Sequence, residues 1–100
     1  MNPPGVPEGI ECYDLGGGLY WSSVQHDGEP CGIHLWHRCK NAPGDDYLSA
    51  GGVMFEGAPR DVHGPRWTVV NRDPLTLQPS IHCMVCGTHG YIIDGTWRPC

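Results

Sequence analysis

The residues with the clearest chemistry lie near the C-terminus, where Cys83-Met84-Val85-Cys86 forms a C-x-x-C sequence that Gly87 follows. Two thiolates on such a turn can bind one metal ion at about 2.3 Å each, and the glycine relieves crowding behind the second thiolate. His89 comes three residues after Cys86, so its ring can reach the same ion. This spacing is typical of a zinc knuckle.

A second pair of candidate ligands, His37 and Cys39, occurs much earlier in the chain. Alternate side chains of a β-strand point to one face, so a strand over residues 33–39 presents both on the same side. Joining this pair to the C-x-x-C turn gives the closed N/S ligand set of structural zinc. We expect about one Zn²⁺ per chain in such a site. Five candidates compete for four positions: His37, Cys39, Cys83, Cys86 and His89.

Two other uses of these residues fit the sequence less well. A redox C-x-x-C precedes a helix, and Gly87 and Gly90 disfavour a helix here. A catalytic zinc keeps an open coordination position beside a base, for which Asp61 or His63 would serve. Neither the H-E-x-x-H sequence nor the H-x-E segment of zinc deaminases is present, which disfavours a metalloenzyme.

Short strands bounded by glycine and proline account for most of the chain. Aspartate-glycine pairs at Asp27-Gly28 and Asp94-Gly95 indicate two-residue hairpin turns. No segment has the period of an amphipathic helix. Strands are predicted over residues 19–24, 33–39, 53–55, 67–70, 91–93 and 96–98. Residues 75–81 are predicted as an edge or bulged strand, because Pro79 cannot donate a backbone hydrogen bond. The expected fold is all-β: an extended arm over residues 1–11 and a single antiparallel zinc-stabilised domain over residues 12–100, ending in a hairpin.

The composition predicts an unusual core. Leu, Ile, Val and Phe number only nineteen, whereas Gly and Pro number 15 and 10. Such a chain lies near the composition of disordered proteins unless other residues supply the buried area. We therefore predict a core built from Trp21, Trp36, Trp67 and Trp97 and closed by the metal.

Charge and hydropathy exclude two classes of partner. The net charge of -5, with eleven acidic and six basic residues, disfavours nucleic-acid binding because no basic surface is available to contact phosphates. No apolar run is long enough to span a membrane, and the N-terminus lacks the features of a secretory signal. We therefore expect a cytoplasmic protein, in a reducing compartment where cysteine clusters more often hold metal than form disulfides.

The C-terminal third resembles a family of small zinc-binding proteins encoded by tailed bacteriophages of actinobacteria and by bacteria. The similarity covers about residues 66–98 and rests on Trp67, the run from Asn71 to Ile81, the run from Cys83 to Ile92, and Gly95-Thr96-Trp97. It implies a small zinc-binding β domain and supplies no activity. His37 stands where the family usually has cysteine, and Leu75 where it usually has threonine.

These observations favour a non-enzymatic function. Turn chemistry is the favoured explanation for the run from Asn71 to Ser80, because Asp73-Pro74 sets a turn, Pro79 interrupts strand pairing, and Ser80 can bond to local backbone. The alternative is a polar loop beside the metal site that exposes Asn71, Arg72 and Asp73 to a partner. No catalytic residue is predicted. The leading hypothesis is a phage-type accessory protein, in the bacterial host cell, that binds a host or phage protein through its aromatic residues. The alternatives are a zinc-dependent hydrolase and a virion-associated structural protein.

Overall fold

The computed structural model describes residues 2–39, 46–57, 65–84 and 86–100. These residues form nine strands and no helix. The strands are β1 (Tyr13–Gly16), β2 (Leu19–His26), β3 (Glu29–His37), β4 (Leu48–Met54), β5 (Thr68–Arg72), β6 (Leu75–Gln78), β7 (Ile81–His82), β8 (His89–Ile93) and β9 (Thr96–Pro99). The prediction of a small all-β fold is confirmed.

Strands β1 to β4 form one antiparallel sheet in sequence order. The predicted turn at Asp27-Gly28 joins β2 to β3, and both residues have positive φ (51° and 80°), as a two-residue hairpin turn requires. Strand β4 begins at Leu48, in a segment that is too short to classify from sequence, and extends to Met54. The N-terminal segment is joined to this sheet through the Tyr47 amide, which donates to the Pro4 carbonyl at 2.6 Å.

The remaining strands form two small sheets, β5-β6 and β7-β8-β9, both antiparallel. A parallel bridge between Phe55 and Trp67 connects the end of the first sheet to the start of β5. The C-terminal hairpin is confirmed, with Asp94 and Gly95 at positive φ (50° and 71°) between β8 and β9. Amides of this turn donate to β6 and so hold the two small sheets together.

The core is aliphatic rather than built from four tryptophans. Among the tryptophans only Trp97 is buried, while Trp21 and Trp67 pack partly buried against the core and Trp36 is half-buried. The prediction was wrong because alternate aliphatic side chains of short strands already meet between the sheets, which leaves the wide indole rings at the edges. The buried apolar cluster comprises Leu15, Leu19, Ile33, Leu35, Val53, Phe55, Leu75, Leu77, Ile81, Ile92 and Trp97.

The described residues contain no helix that is long and apolar enough to cross a membrane.

Candidate metal centre and serine–histidine site

Four of the five predicted ligands come together where the first sheet meets the last. His37 ends β3, Cys39 lies two residues beyond it, Cys83 directly follows β7, and Cys86 lies in the turn before β8. One ligand atom from each lies within 4.8 Å of the other three. A tetrahedral zinc with Zn–S bonds of about 2.3 Å separates its sulfurs by about 3.8 Å, which this group can match.

The environment of His37 fits a metal ligand. Its Nδ1 lies 3.2 Å from the Leu35 carbonyl oxygen, and since a carbonyl only accepts, Nδ1 carries the proton. The lone pair is therefore on Nε2, which is buried and has no hydrogen-bond partner among the described residues. An unpartnered buried nitrogen costs free energy, and a metal ion among the sulfurs removes that cost. A backbone carbonyl on the other ring nitrogen is the usual way to orient a histidine ligand.

The cysteine turn has the geometry of a knuckle. The Gly87 amide donates to the Cys83 carbonyl at 2.8 Å, and the Cys83 amide donates to the Thr88 carbonyl at 2.7 Å. Gly87 adopts φ of 80°, which a residue with a side chain rarely adopts. Burial raises the pKa of Cys86, but hydrogen bonds from Thr88, Cys83 and Cys39 outweigh it and lower that pKa to about 6. The thiolate, which is the metal-binding form, is thus favoured at neutral pH.

These four residues can hold a metal ion, and the group has the donors of a structural site. All six cysteines lie in the described part of the chain and none forms a disulfide. His37, Cys39 and Cys83 are buried and Cys86 is half-buried. Four protein ligands complete a tetrahedral shell, whereas a catalytic zinc keeps one position for water. Asp61 and His63, named above as candidate residues beside a catalytic zinc, lie outside the described residues.

The fifth predicted ligand, His89, lies outside this group. It begins β8, where alternate residues are exposed, and its side chain is on the solvent side of the strand. Its Nε2 lies 2.9 Å from Oγ of Ser80, at hydrogen-bond distance. The thiolate ligands of the turn are instead directed inward, since Cys83 is buried directly after the exposed His82. His89 therefore faces a serine.

The pairing of β7 with β8 brings Ser80 and His89 together. Ile81 pairs with Gly90 and His82 pairs with His89. One face of this hairpin is buried and consists of Ile81, Gly90 and Ile92. Its other face consists of Ser80, His82, His89 and Tyr91, of which Ser80 is half-buried and the rest are exposed. This outward face is therefore accessible to solvent.

Neighbouring aromatic rings hold the serine and the histidine in place. Nε1 of Trp67 donates to the Ser80 carbonyl at 3.3 Å, which anchors the backbone that carries the hydroxyl. The ring of His82 packs against that of His89, with centroids 4.8 Å apart and planes tilted by 32°. The pair is thus supported by one residue from β7 and one from the segment before β5.

Sequence reasoning assigned Ser80 only to turn formation and missed its contact with His89. A signal was nevertheless available. Since a C-x-x-C knuckle reverses the chain, residues a few positions before Cys83 must face residues a few positions after Cys86. Ser80 and His89 satisfy that condition.

Comparison with known proteins adds a family name to part of the chain. Residues 52–100 match the family model described as bacterial ubiquitination-like system serine protease (BubE). The matched segment contains Ser80, His89, Cys83 and Cys86, whereas His37 and Cys39 precede it. No curated protein and no solved structure shows a significant match to the chain.

This match corrects the expectation of a non-enzymatic module that binds a host or phage protein. The matched family is a serine protease of a bacterial system, which indicates a protease-associated role and agrees better with the hydrolase alternative. The physical reason for the error is that turn chemistry explains Ser80 adequately in isolation. Its contact with His89, nine residues away, becomes visible only in the folded chain.

Proposed function

We propose that the protein is a serine hydrolase that cleaves polypeptides, with Ser80 as nucleophile and His89 as general base. The observation that carries the proposal is the 2.9 Å separation between Oγ of Ser80 and Nε2 of His89. A serine hydroxyl is a weak nucleophile by itself, and an adjacent base at this distance is what activates it. The match of residues 52–100 to a serine protease family supports the same reaction class.

The two residues suffice for a balanced acyl transfer. In the tautomer with the proton on Nδ1, the Ser80 hydroxyl donates to Nε2 of His89. As Oγ forms a bond to the carbonyl carbon of the scissile amide, Nε2 takes the hydroxyl proton. His89 then gives that proton to the leaving amine while the carbon–nitrogen bond breaks. Water, deprotonated by His89, hydrolyses the resulting ester and restores the hydroxyl.

The metal in this proposal is Zn²⁺ with a structural role, held by His37, Cys39, Cys83 and Cys86. Buried thiolates and an imidazole are the donors that zinc prefers in closed sites. When bound, the ion supplies cross-linking and no chemistry. It ties the end of β3 to the turn of the β7–β8 hairpin, and that hairpin carries Ser80 on one strand and His89 on the other. The ligands therefore act as positioning residues.

The matched family suggests the class of substrate in this proposal, and the free cysteines suggest the cellular compartment. The matched family belongs to a bacterial ubiquitination-like system, so the substrate in this proposal is a protein of such a system. Six cysteines without a disulfide suit the reducing bacterial cytoplasm. The exposed position of the pair on a hairpin face suits an extended protein segment as substrate.

Covalent labelling tests the nucleophile directly. Diisopropyl fluorophosphate should react once per chain, as Oγ bonds to phosphorus and fluoride leaves. Peptide mapping by mass spectrometry should place the adduct on Ser80. Ser80→Ala should abolish both labelling and peptide hydrolysis, whereas Ser23→Ala, at an exposed serine on β2, should preserve both.

The same experiment separates this proposal from a zinc-dependent hydrolase. Hydrolysis that persists in a folded Ser80→Ala protein, or an adduct on another serine, would show that Ser80 is not the nucleophile. Circular dichroism of the variant checks that the strands are intact. Because Ser80 is half-buried and its hydroxyl is directed toward His89, truncation to alanine should leave the fold unchanged.

A further inference from the structure

An open groove adjoins the serine–histidine pair. It has a volume of about 500 Å³ and is lined by Thr76, Leu77, Gln78, Pro79, Tyr91 and Ile93. Pro79 directly precedes Ser80, and Tyr91 lies two residues from His89 on the same face of β8. Continuing the pairing of Ile81 with Gly90 places Ser80 across from Tyr91. One end of the groove is therefore formed by residues that lie next to Ser80 and His89.

The walls of the groove are the outward faces of two strands. Thr76 and Gln78 lie on the more exposed side of β6, and Tyr91 and Ile93 on the exposed side of β8. Buried Leu77 closes the floor. The Asp94 amide donates to Oγ1 of Thr76 at 2.9 Å, which fixes the spacing between the two walls at the far end.

The lining is uncharged and mostly apolar, although Thr76 and Gln78 add polar groups to the wall formed by β6. Tyr91 and Ile93 are 40% and 38% exposed, and no lining residue carries a charge. The protein as a whole has a net charge of -5, so an uncharged surface of this size is a local departure. Exposed apolar side chains around a concave surface mark binding sites, because burying them against a ligand is favourable.

We infer that this groove is the specificity subsite of the hydrolase and receives an aliphatic or aromatic side chain of the acyl-side residue at the scissile bond. This inference rests on the proposed function, since it needs Ser80 as the nucleophile. An extended substrate that lies along β6 and β8 presents a side chain to the same face every second residue, about 6.6–6.8 Å apart. The residue whose carbonyl reaches Ser80 has the groove beside it. Acidic substrates are disfavoured by an apolar lining that offers no positive charge.

The test uses p-nitrophenyl esters of N-acetyl-leucine and N-acetyl-aspartate on the full-length protein. The wild-type protein should prefer the leucine ester in kcat/KM by about 10-fold or more, the range a hydrophobic pocket provides. Ile93→Ser should reduce that ratio to about 3-fold or less. Ile10→Ser is the matched control, because Ile10 is also 38% exposed and lies in the N-terminal segment. It should preserve the ratio.

A second variant should gain activity toward the acidic ester, a result that loss of folding cannot produce. Gln78→Arg introduces a positive charge at an exposed groove position and should shift the preference toward the aspartate ester by about 10-fold. Gln25→Arg, at an exposed glutamine of β2, should not. Unchanged ratios in both groove variants, with Ser80 still labelled by diisopropyl fluorophosphate, would overturn the groove alone. Absence of labelling in the wild-type protein would overturn the nucleophile, and the groove with it.

Discussion

His37 and His89 lie close to one hairpin but have different surroundings. His37 is 3% exposed and donates from Nδ1 to a backbone carbonyl. Its buried Nε2 has no hydrogen-bond partner within the described part of the chain and lies beside three sulfurs. His89 is exposed and directs Nε2 to a hydroxyl. A buried imidazole needs a partner that removes the cost of desolvation, and a metal supplies it. An exposed imidazole can exchange protons with substrate and solvent.

In the proposed function, the turn of the β7–β8 hairpin contributes to stability through the metal, and the outward face of the same hairpin carries the chemistry. The turn residues Cys83 and Cys86 belong to the candidate metal group, and the flanking Ser80 and His89 form the hydrogen-bonded pair to which we attribute hydrolysis in the proposed function. Two loops of the chain meet at the metal group, so metal binding and folding should be one equilibrium. The serine–histidine pair makes a single surface hydrogen bond, which contributes little to folding.

Metal removal should produce the largest effect. Chelation of the purified protein should abolish its cooperative thermal transition, since structural zinc contributes about 10 kcal/mol or more in small domains. Elemental analysis should find about one zinc per chain before chelation. Cys83→Ser should act in the same direction, whereas Cys100→Ser, at an exposed cysteine, should not. A melting transition that survives chelation would mean that the metal group is peripheral to the fold.

Replacement of His89 should lower the activity of the protein without lowering its stability. His89→Gln should lower kcat by about 10²–10⁴-fold, the usual contribution of a general base, and leave the melting temperature within about 2 °C. His26→Gln, at an exposed histidine of β2, is the matched control and should leave kcat unchanged. Loss of zinc from the His89→Gln protein would instead make His89 a metal ligand and erase the distinction between the two histidines.

The fold was predictable where turns are encoded locally. Asp27-Gly28 and Asp94-Gly95 adopt the positive φ values that their residue types favour, and both hairpins follow. The core was less predictable, because which of two faces is buried depends on how the three sheets meet. Trp36 illustrates this point: its strand was predicted, but its ring lies at an edge and donates to Ser22 instead of filling the core.

The candidate site was predictable where its residues are neighbours in the sequence. Cys83 and Cys86 are close in sequence, and a strand predicted over residues 33–39 put His37 and Cys39 on one side. In the structure β3 ends at His37, and Cys39 joins the group from just beyond the strand. The choice between His37 and His89 required the register of β7 against β8, which the residue types do not encode. Ser80 became a candidate nucleophile only when that register put an imidazole within hydrogen-bond distance.

Gly90 lies on the buried face of β8, next to His89 on the outward face. Its replacement should have an intermediate effect on both stability and kcat. A Cβ at this position would lie 2.6 Å from the ring of Trp97 and 2.6 Å from the Arg98 carbonyl oxygen. Gly90→Ala should therefore destabilise the protein by about 1–3 kcal/mol through overpacking, measured by urea unfolding. It should also lower kcat, because β8 must shift and carry His89 with it. Gly52→Ala is the control, since its nearest neighbour is the flexible end of Met54 at 3.1 Å.

The smallest effect should come from Ser22, which is the structural counterpart of Ser80. Ser22 is 2% exposed, and its Oγ accepts a hydrogen bond from Nε1 of Trp36 at 2.9 Å. Ser22→Ala should cost about 1 kcal/mol, because the indole N–H loses its partner in a half-buried position. It should leave diisopropyl fluorophosphate labelling and kcat unchanged. Ser80→Ala should show the reverse, with stability kept and labelling lost. If both serines affect stability equally and neither is labelled, the pairing of Ser80 with His89 is structural, and burial does not separate the two roles.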